Sequence, residues 1–269
     1  MLLRIEGLDV SFRGDEGAVT RAARGVSLSL DRGEVLGLVG ESGSGKSSVA
    51  MSVPRLLPSP PAFWPGGRIL FDGREMLSMP LPELRKLRGR RIGVVFQDPM
   101  GSLSPLHRIG DQLVETVRLH ESVSRKAARA MALEWLGKVG IPDPATRALA
   151  YPHELSGGMQ QRVMIAMALM LGPDLLIADE PTTALDVTVQ AQVLRLMKDL
   201  HRANSAILLI THDLGVVSQM ATKLAVMKAG EVVEESDDPD AFFASPAHPY
   251  SRTLLREARR MALPNLSLA

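Results

Sequence analysis

Cysteine is absent from the 269 residues of this chain. Its absence excludes structural disulfides, thiolate zinc sites and cysteine-ligated iron–sulfur clusters, and it fits a reducing compartment. A bias of charge is missing too. Lys and Arg number 31 against 30 Asp and Glu, so nothing general points to nucleic acid, whose binders favour a basic face. No uncharged apolar run reaches the roughly 18 residues that a spanning helix needs. The N-terminal "MLLRIEGLDVSF" carries Glu6 and Asp9 and no long apolar stretch, so a signal peptide is not expected. Internal repeats are lacking as well. What is present is 45% hydrophobic residues, enough for one large domain or a domain with a subdomain. The expectation is a soluble protein that can dock on a membrane partner.

Strand and helix signals alternate along the chain. "LLRIEGLDVSF" alternates as a strand does, and "VSLSLDRGEVLGLVG" holds two strand-like runs split by the turn Asp31-Arg32-Gly33. "LLPSPPAFWPGG" is proline-rich and reads as a loop, "GRILFDGREM" as a strand with an Asp-Gly turn, and "RIGVVFQDP" as a short apolar strand. From about Asp111 to Leu171 the pattern is helical. "DLLIADE" and "SAILLITHD" are continuous apolar runs of the kind buried in parallel sheets. "LAVMKAGEVVEE" predicts a hairpin around Ala229-Gly230, and a polar, partly helical tail follows from 240 to 269. The class is α/β, with helices inserted before "DLLIADE".

"GESGSGKS" fits G-x-x-x-x-G-K-[ST] through Gly40, Gly45, Lys46 and Ser47. It follows the strand-like "EVLGLV" and precedes a helical pattern, the context this phosphate-binding loop requires. Glycines let the backbone wrap phosphate oxygens, Lys46 can neutralise β- and γ-phosphate charge, and the Ser47 hydroxyl can ligate Mg²⁺. The residues expected to hold ATP here are Gly40, Ser42, Gly43, Gly45, Lys46, Ser47 and Ser48. "LLIADE" brings Asp179 to the carboxyl end of a buried strand, where α/β ligands bind. Asp179 can hold Mg²⁺ through water, and Glu180 beside it can accept a proton from an attacking water. The bland accounts are a chance glycine turn and an ordinary Asp-Glu helix cap.

A second anion site is written into "ELSGGMQQRVMIAMALM" at 154–170. Ser156-Gly157-Gly158 offers a hydroxyl and backbone N–H groups at a helix start; its bland account is a glycine-rich helix N-cap. Met159, Met164, Met167 and Met170 recur at a spacing that suits a buried helix face better than a metal site. "RKLRGRR" reads as a solvated helix end.

Together these motifs resemble the ATP-binding-cassette ATPases: Phe12, the P-loop, Gln97, "LSGGMQ", "LLIADE", "ALD" at 184–186 and His212 occur in the family's order. The resemblance covers nearly the whole chain. It implies a P-loop, RecA-like core with an antiparallel β subdomain and an inserted α-helical subdomain. In residue terms that means an ATPase domain over 1–240, helices inserted at about 98–170, and a tail over 241–269. It further implies that two cassettes pair head to tail, so that Ser156, Gly157, Gly158 and Gln160 of one close over the γ-phosphate held by Lys46 of the other. One chain would then need two anion sites because each ATP is shared. By the same resemblance Phe12 stacks on adenine, with a core phenylalanine as the bland account. Gln97 touches Mg²⁺ and the attacking water, Asp186 organises the dimer interface, and His212 contacts the γ-phosphate. Ser47, Gln97 and Asp179 are the implied Mg²⁺ ligands. Met159 departs from the glutamine common at that signature position, and Gln160 follows it.

"FQDPMGSLSPLHRIGDQL" and "SPAHPYSRTLL" at 245–255 resemble the oligopeptide, dipeptide and nickel importer branch more specifically. That branch implies two membrane-spanning permease subunits, a second ATPase subunit that is a sibling or identical, and indirectly a substrate-binding protein. It also implies a peripheral place at the cytoplasmic face of the inner membrane, and no nucleic acid. Some members carry cysteines past the His-Pro-Tyr segment that hold an iron–sulfur cluster. Here there are none, so importers of nickel or a metal–metallophore complex fit at least as well as peptide importers. Two other classes compete: a soluble cassette acting on nucleic acid or ribosomes, and a nucleotide-binding regulator without turnover, against which Glu180 and His212 argue.

Overall fold

The computed structural model describes residues 1–14, 17–182, 187–200 and 204–261. From the N-terminus run β1 (Leu3–Arg13), β2 (Val19–Leu30), β3 (Val35–Val39), α1 (Lys46–Ser52), β4 (Ala62–Phe71) and β5 (Arg74–Glu75). Next come α2 (Leu81–Leu87), β6 (Ile92–Val95), α3 (Pro99–Ser102), α4 (Ile109–His120), α5 (Arg125–Lys138), α6 (Pro144–Arg147), α7 (Gly157–Leu169), β7 (Leu175–Asp179) and α8 (Val187–Leu200). The chain continues through β8 (Ala206–Thr211), α9 (Leu214–Met220), β9 (Lys223–Lys228), β10 (Glu231–Ser236), α10 (Pro239–Ala244) and α11 (Pro249–Met261). They form two compact units, Met1–Met79 with Ala206–Ala269, and Pro80–Ser205.

The first unit holds an antiparallel sheet in the order β2-β1-β4-β5. Pairing of β1 with β2 shifts by one residue between Ile5 and Leu8, where Gly7 has φ +54°. That bulge turns both Ile5 and Leu8 into the core, which strict alternation would not allow. Beside this sheet, β3 pairs in parallel with β8 and β9, and β9 turns through Ala229-Gly230 into antiparallel β10, the hairpin the sequence predicts. β3 and β8 are buried at every position, as their unbroken apolar runs require.

The expected proline-rich loop fails over part of its length. The loop assigned to "LLPSPPAFWPGG" becomes strand from Ala62 onward, although it contains Pro65. The register explains how proline is admitted: Ser11 pairs with Phe63 but Asp9 with Gly66, so β4 carries one extra residue over this stretch. Proline, which cannot donate to a ladder, is tolerated at such a bulge.

The tail joins the core of the first unit. Phe242, Tyr250 and Leu255 pack with Val39, Leu214, Val217, Leu224 and Val226.

In the second unit β6 and β7 pair in parallel, α7 packs on β6, and α3, α4, α5 and α8 pack on α7. α7 buries Val163, Met164, Ile165, Ala166, Ala168 and Leu169, so it is apolar around most of its circumference. Met164 and Met170 are buried and Met159 and Met167 half-buried, in keeping with packing. The end of "RKLRGRR" is not simply solvated. Arg90 Nη1 donates to Leu171 O at 2.6 Å, and Arg91 pairs with Asp174 at 2.5 Å, fastening the entry of β6 to the loop before β7. Among the described residues no helix is long and apolar enough to cross a membrane.

Candidate functional site

The glycine loop lies between β3 and α1, at the carboxyl end of parallel strands. Two of its glycines are forced by close approach. Gly40 has φ +152°, and a Cβ there would stand 2.2 Å from the Met227 carbonyl oxygen. Gly45 has φ +102°, and a Cβ there would stand 2.0 Å from Ala22 O. Gly43, at φ +77°, uses its conformational freedom without crowding. The loop is also bonded from outside: Gly230 N–H donates to Ser44 O at 3.0 Å.

Lys46 is the first residue of α1, and only 4% of it is exposed. Its ammonium turns back over the loop, donating to Gly40 O at 2.8 Å, Glu41 O at 2.7 Å and Ser44 Oγ at 3.3 Å. A buried cation ringed by loop backbone suits an anion of several oxygens. Ser44, like Ser42 and Gly43, occupies a free position of the motif; it was not among the residues expected from sequence, yet its hydroxyl is the one that meets the ammonium. Ser42 and Ser47 are exposed, and Ser48 is half-buried.

Thr211 pairs with Val39 in the parallel register, so His212 follows β8 beside the start of the glycine loop. Asp213 then caps α9, accepting from Gly215 N–H at 2.7 Å. Phe12, half-buried in β1, pairs with Thr20 and Ala62.

In the second unit Asp179 ends β7 and is 7% exposed. Glu180 follows in the left-handed region at φ +45°, which costs a non-glycine residue on the order of 1 kcal/mol. Its Oε2 accepts from Gln97 Nε2 at 3.0 Å, so two residues expected to act on water are brought together. The buried Gln161, missed from sequence, donates to Pro181 O at 2.6 Å and ties α7 to the residue after Glu180. Such a carboxylate, oriented by an amide, can accept a proton.

Ser156 is the N-cap of α7, its hydroxyl accepting from Met159 N–H at 3.4 Å. Ser156 and Gly157 are exposed. Gln160 is placed differently from them: it is buried, and its amide donates to Pro152 O at 2.8 Å and Leu155 O at 3.1 Å. It thus braces the turn leading into the signature from within. Asp186 lies outside the described residues.

Parallel strands ending in a glycine loop with a buried lysine define a P-loop nucleotide hydrolase, α/β in class. A family model described as "ABC transporter" matches residues 23–183, and the chain belongs to that family: it is an ATP-binding cassette and an ATPase. It is 50% identical to a probable peptide ABC transporter ATP-binding protein of Sinorhizobium fredii over 99% of this chain and 81% of that protein. It is 50% identical to the oligopeptide transport ATP-binding protein OppD of Bacillus subtilis over 94% of this chain and 71% of that one. Among solved structures, a dimeric ATP-binding cassette in a post-hydrolysis state bound to ADP and Pi superposes with a TM-score of 0.78 at 28% identity, covering 87% of this chain and 98% of the other.

Proposed function

We propose that this chain is the ATP-hydrolysing subunit of an importer whose cargo is peptides. One observation carries the catalytic part: the buried Lys46 ammonium folded onto the carbonyls of its own glycine loop. In this reading Gly40, Ser42, Gly43, Gly45, Lys46, Ser47 and Ser48 hold the phosphates of ATP. Ser47, Gln97 and Asp179 supply Mg²⁺ ligands, and the metal, when bound, neutralises phosphate charge. Glu180 takes the proton of the attacking water, held for it by Gln97. His212 donates to the γ-phosphate, and Phe12 stacks on the base. Ser156, Gly157 and Gly158 serve the nucleotide of a second cassette, with Asp186 at that interface. Gln160 serves only through the turn it braces.

The cargo reading is supported by the names of the relatives, which speak of peptides and oligopeptides and not of nickel or a metallophore. Docking on membrane-spanning permease subunits at the cytoplasmic face is assigned to the segment from Asp98 to about Gln112. Leu106 there is 82% exposed and Phe96 just before it 38% exposed, apolar area a partner would cover. The test is uptake in cells lacking this chain. Loss of labelled peptide uptake, restored by the wild type but not by Lys46→Ala or Leu106→Asp, is expected. Normal peptide uptake with lost nickel uptake overturns the cargo.

A further inference from the structure

The glycine loop is held by a residue of the tail. The N–H of Glu41 donates to the hydroxyl of Tyr250, 209 positions later in the chain, at 3.2 Å. The carbonyl of Gly40, which accepts from Lys46 at 2.8 Å, belongs to the same peptide unit as that N–H. A peptide unit is planar, so fixing its N–H also fixes its carbonyl. Gly40 cannot restrain the unit by itself, because it has no Cβ and sits at φ +152°. Tyr250 therefore grips one end of the peptide and Lys46 the other.

Tyr250 is itself well anchored. It is 7% exposed and packs in the core with Val39 and Leu214, and the Lys228 ammonium lies 4.6 Å from its ring centroid. Glu234 accepts from the N–H groups of Ala247 at 2.7 Å and His248 at 3.0 Å, while His248 Nδ1 accepts from Tyr250 N–H at 3.2 Å. Pro249 opens α11, where its missing N–H costs nothing. Burial pushes the phenol above its ordinary range against the pull of the Glu41 N–H, so it stays a neutral hydroxyl near pH 7.

We propose that Tyr250 is a positioning residue for nucleotide binding: through the Gly40–Glu41 peptide its hydroxyl sets where the Lys46 ammonium stands. The proposal rests on the reading of the glycine loop as the ATP site. It gives the His-Pro-Tyr segment a chemical task, since His248 and Glu234 fix the turn from which Tyr250 reaches the loop.

The test uses the chain of 269 residues, with a fluorescent ATP analogue for the dissociation constant and phosphate release for KM and kcat. Tyr250→Phe keeps the ring, its packing and its contact with Lys228, and removes only the hydroxyl. The dissociation constant and KM are expected to rise about three- to tenfold, the worth of one hydrogen bond, with kcat within about twofold. Leu255→Ala opens the same core without touching the loop, so it lowers the melting temperature further than Tyr250→Phe while binding nucleotide like the wild type. Binding by Tyr250→Phe within twofold of the wild type, or an equal loss in Leu255→Ala, overturns the proposal. Lys46→Ala separates the two readings: if it binds as the wild type does, the ATP site itself is misplaced, whereas its failure beside an unaffected Tyr250→Phe sinks only the role of the tyrosine.

Discussion

The chain has two Ser-Gly segments suited to phosphate, and they are built on opposite terms. At the glycine loop the glycines are demanded from inside: side chains at 40 and 45 would strike Met227 O and Ala22 O of the same unit. At 156–158 the demand is far weaker. A Cβ on Gly157 would meet nothing within 4 Å among the described residues, and one on Gly158 would meet the Val189 Cγ1 at 2.9 Å, a side-chain end that can give. Ser156 and Gly157 stand exposed. The loop is thus shaped by its own chain, whereas among the described residues nothing crowds Gly157. The nucleotide that we propose is shared with a second cassette would supply a reason outside the chain.

The comparison breaks most easily at Gly45. Gly45→Ala forces a Cβ onto Ala22 O at a φ of +102°, and backbone strain with overpacking costs about 2–5 kcal/mol together. The variant is expected to melt well below the wild type and to show no nucleotide binding by calorimetry. Wild-type binding would mean that the loop gives way freely and that the two segments do not differ.

Glu180→Gln comes next and leaves both anion sites whole. It keeps the shape but cannot accept a proton, so turnover should fall by about 10²–10⁴-fold while ATP still binds. With hydrolysis blocked, MgATP should hold the chain in a dimer, alone or with a sibling cassette, on size-exclusion chromatography. Adding Ser156→Arg should undo that dimer, since a bulky cation replaces a hydroxyl where backbone must meet phosphate. A monomer with and without MgATP would sink the shared-site reading.

Sequence discloses local patterns more readily than contacts across the chain. The glycine loop was legible because strand, loop and helix are contiguous, and each leaves a local pattern. So were β3, β7 and β8, whose apolar runs admit few alternatives. Contacts between distant residues leave no such trace. The Tyr250 hydroxyl meets Glu41 N–H across 209 positions, and no periodicity announces it. Ser44 fills a free motif position yet bonds the Lys46 ammonium. Gln160 lies in the signature, but helix phase turns it inward onto Pro152 O and Leu155 O. β4 was hidden because Pro65 argues against a strand unless the bulge is known.

The smallest effect on the isolated chain, and the sharpest test of the contrast, is Gly157→Ala. Gly157 opens α7 and is not among the residues of positive φ. Alanine fits that conformation and narrows the unfolded chain, so stability should rise by about 0.4–1 kcal/mol. Binding of ATP to the single chain should not change, because Lys46 and its loop are untouched. Only the encounter with a second cassette should suffer, because a methyl group then stands where a phosphate approaches the backbone. In the Glu180→Gln background, the MgATP-dependent dimer should weaken while the melting temperature holds or climbs. A fall in melting temperature would show that Gly157 answers to its own fold after all, and an unweakened dimer would show that nothing comes close to it from outside. Gly45→Ala loses fold and ligand together, and Gly157→Ala is expected to part them.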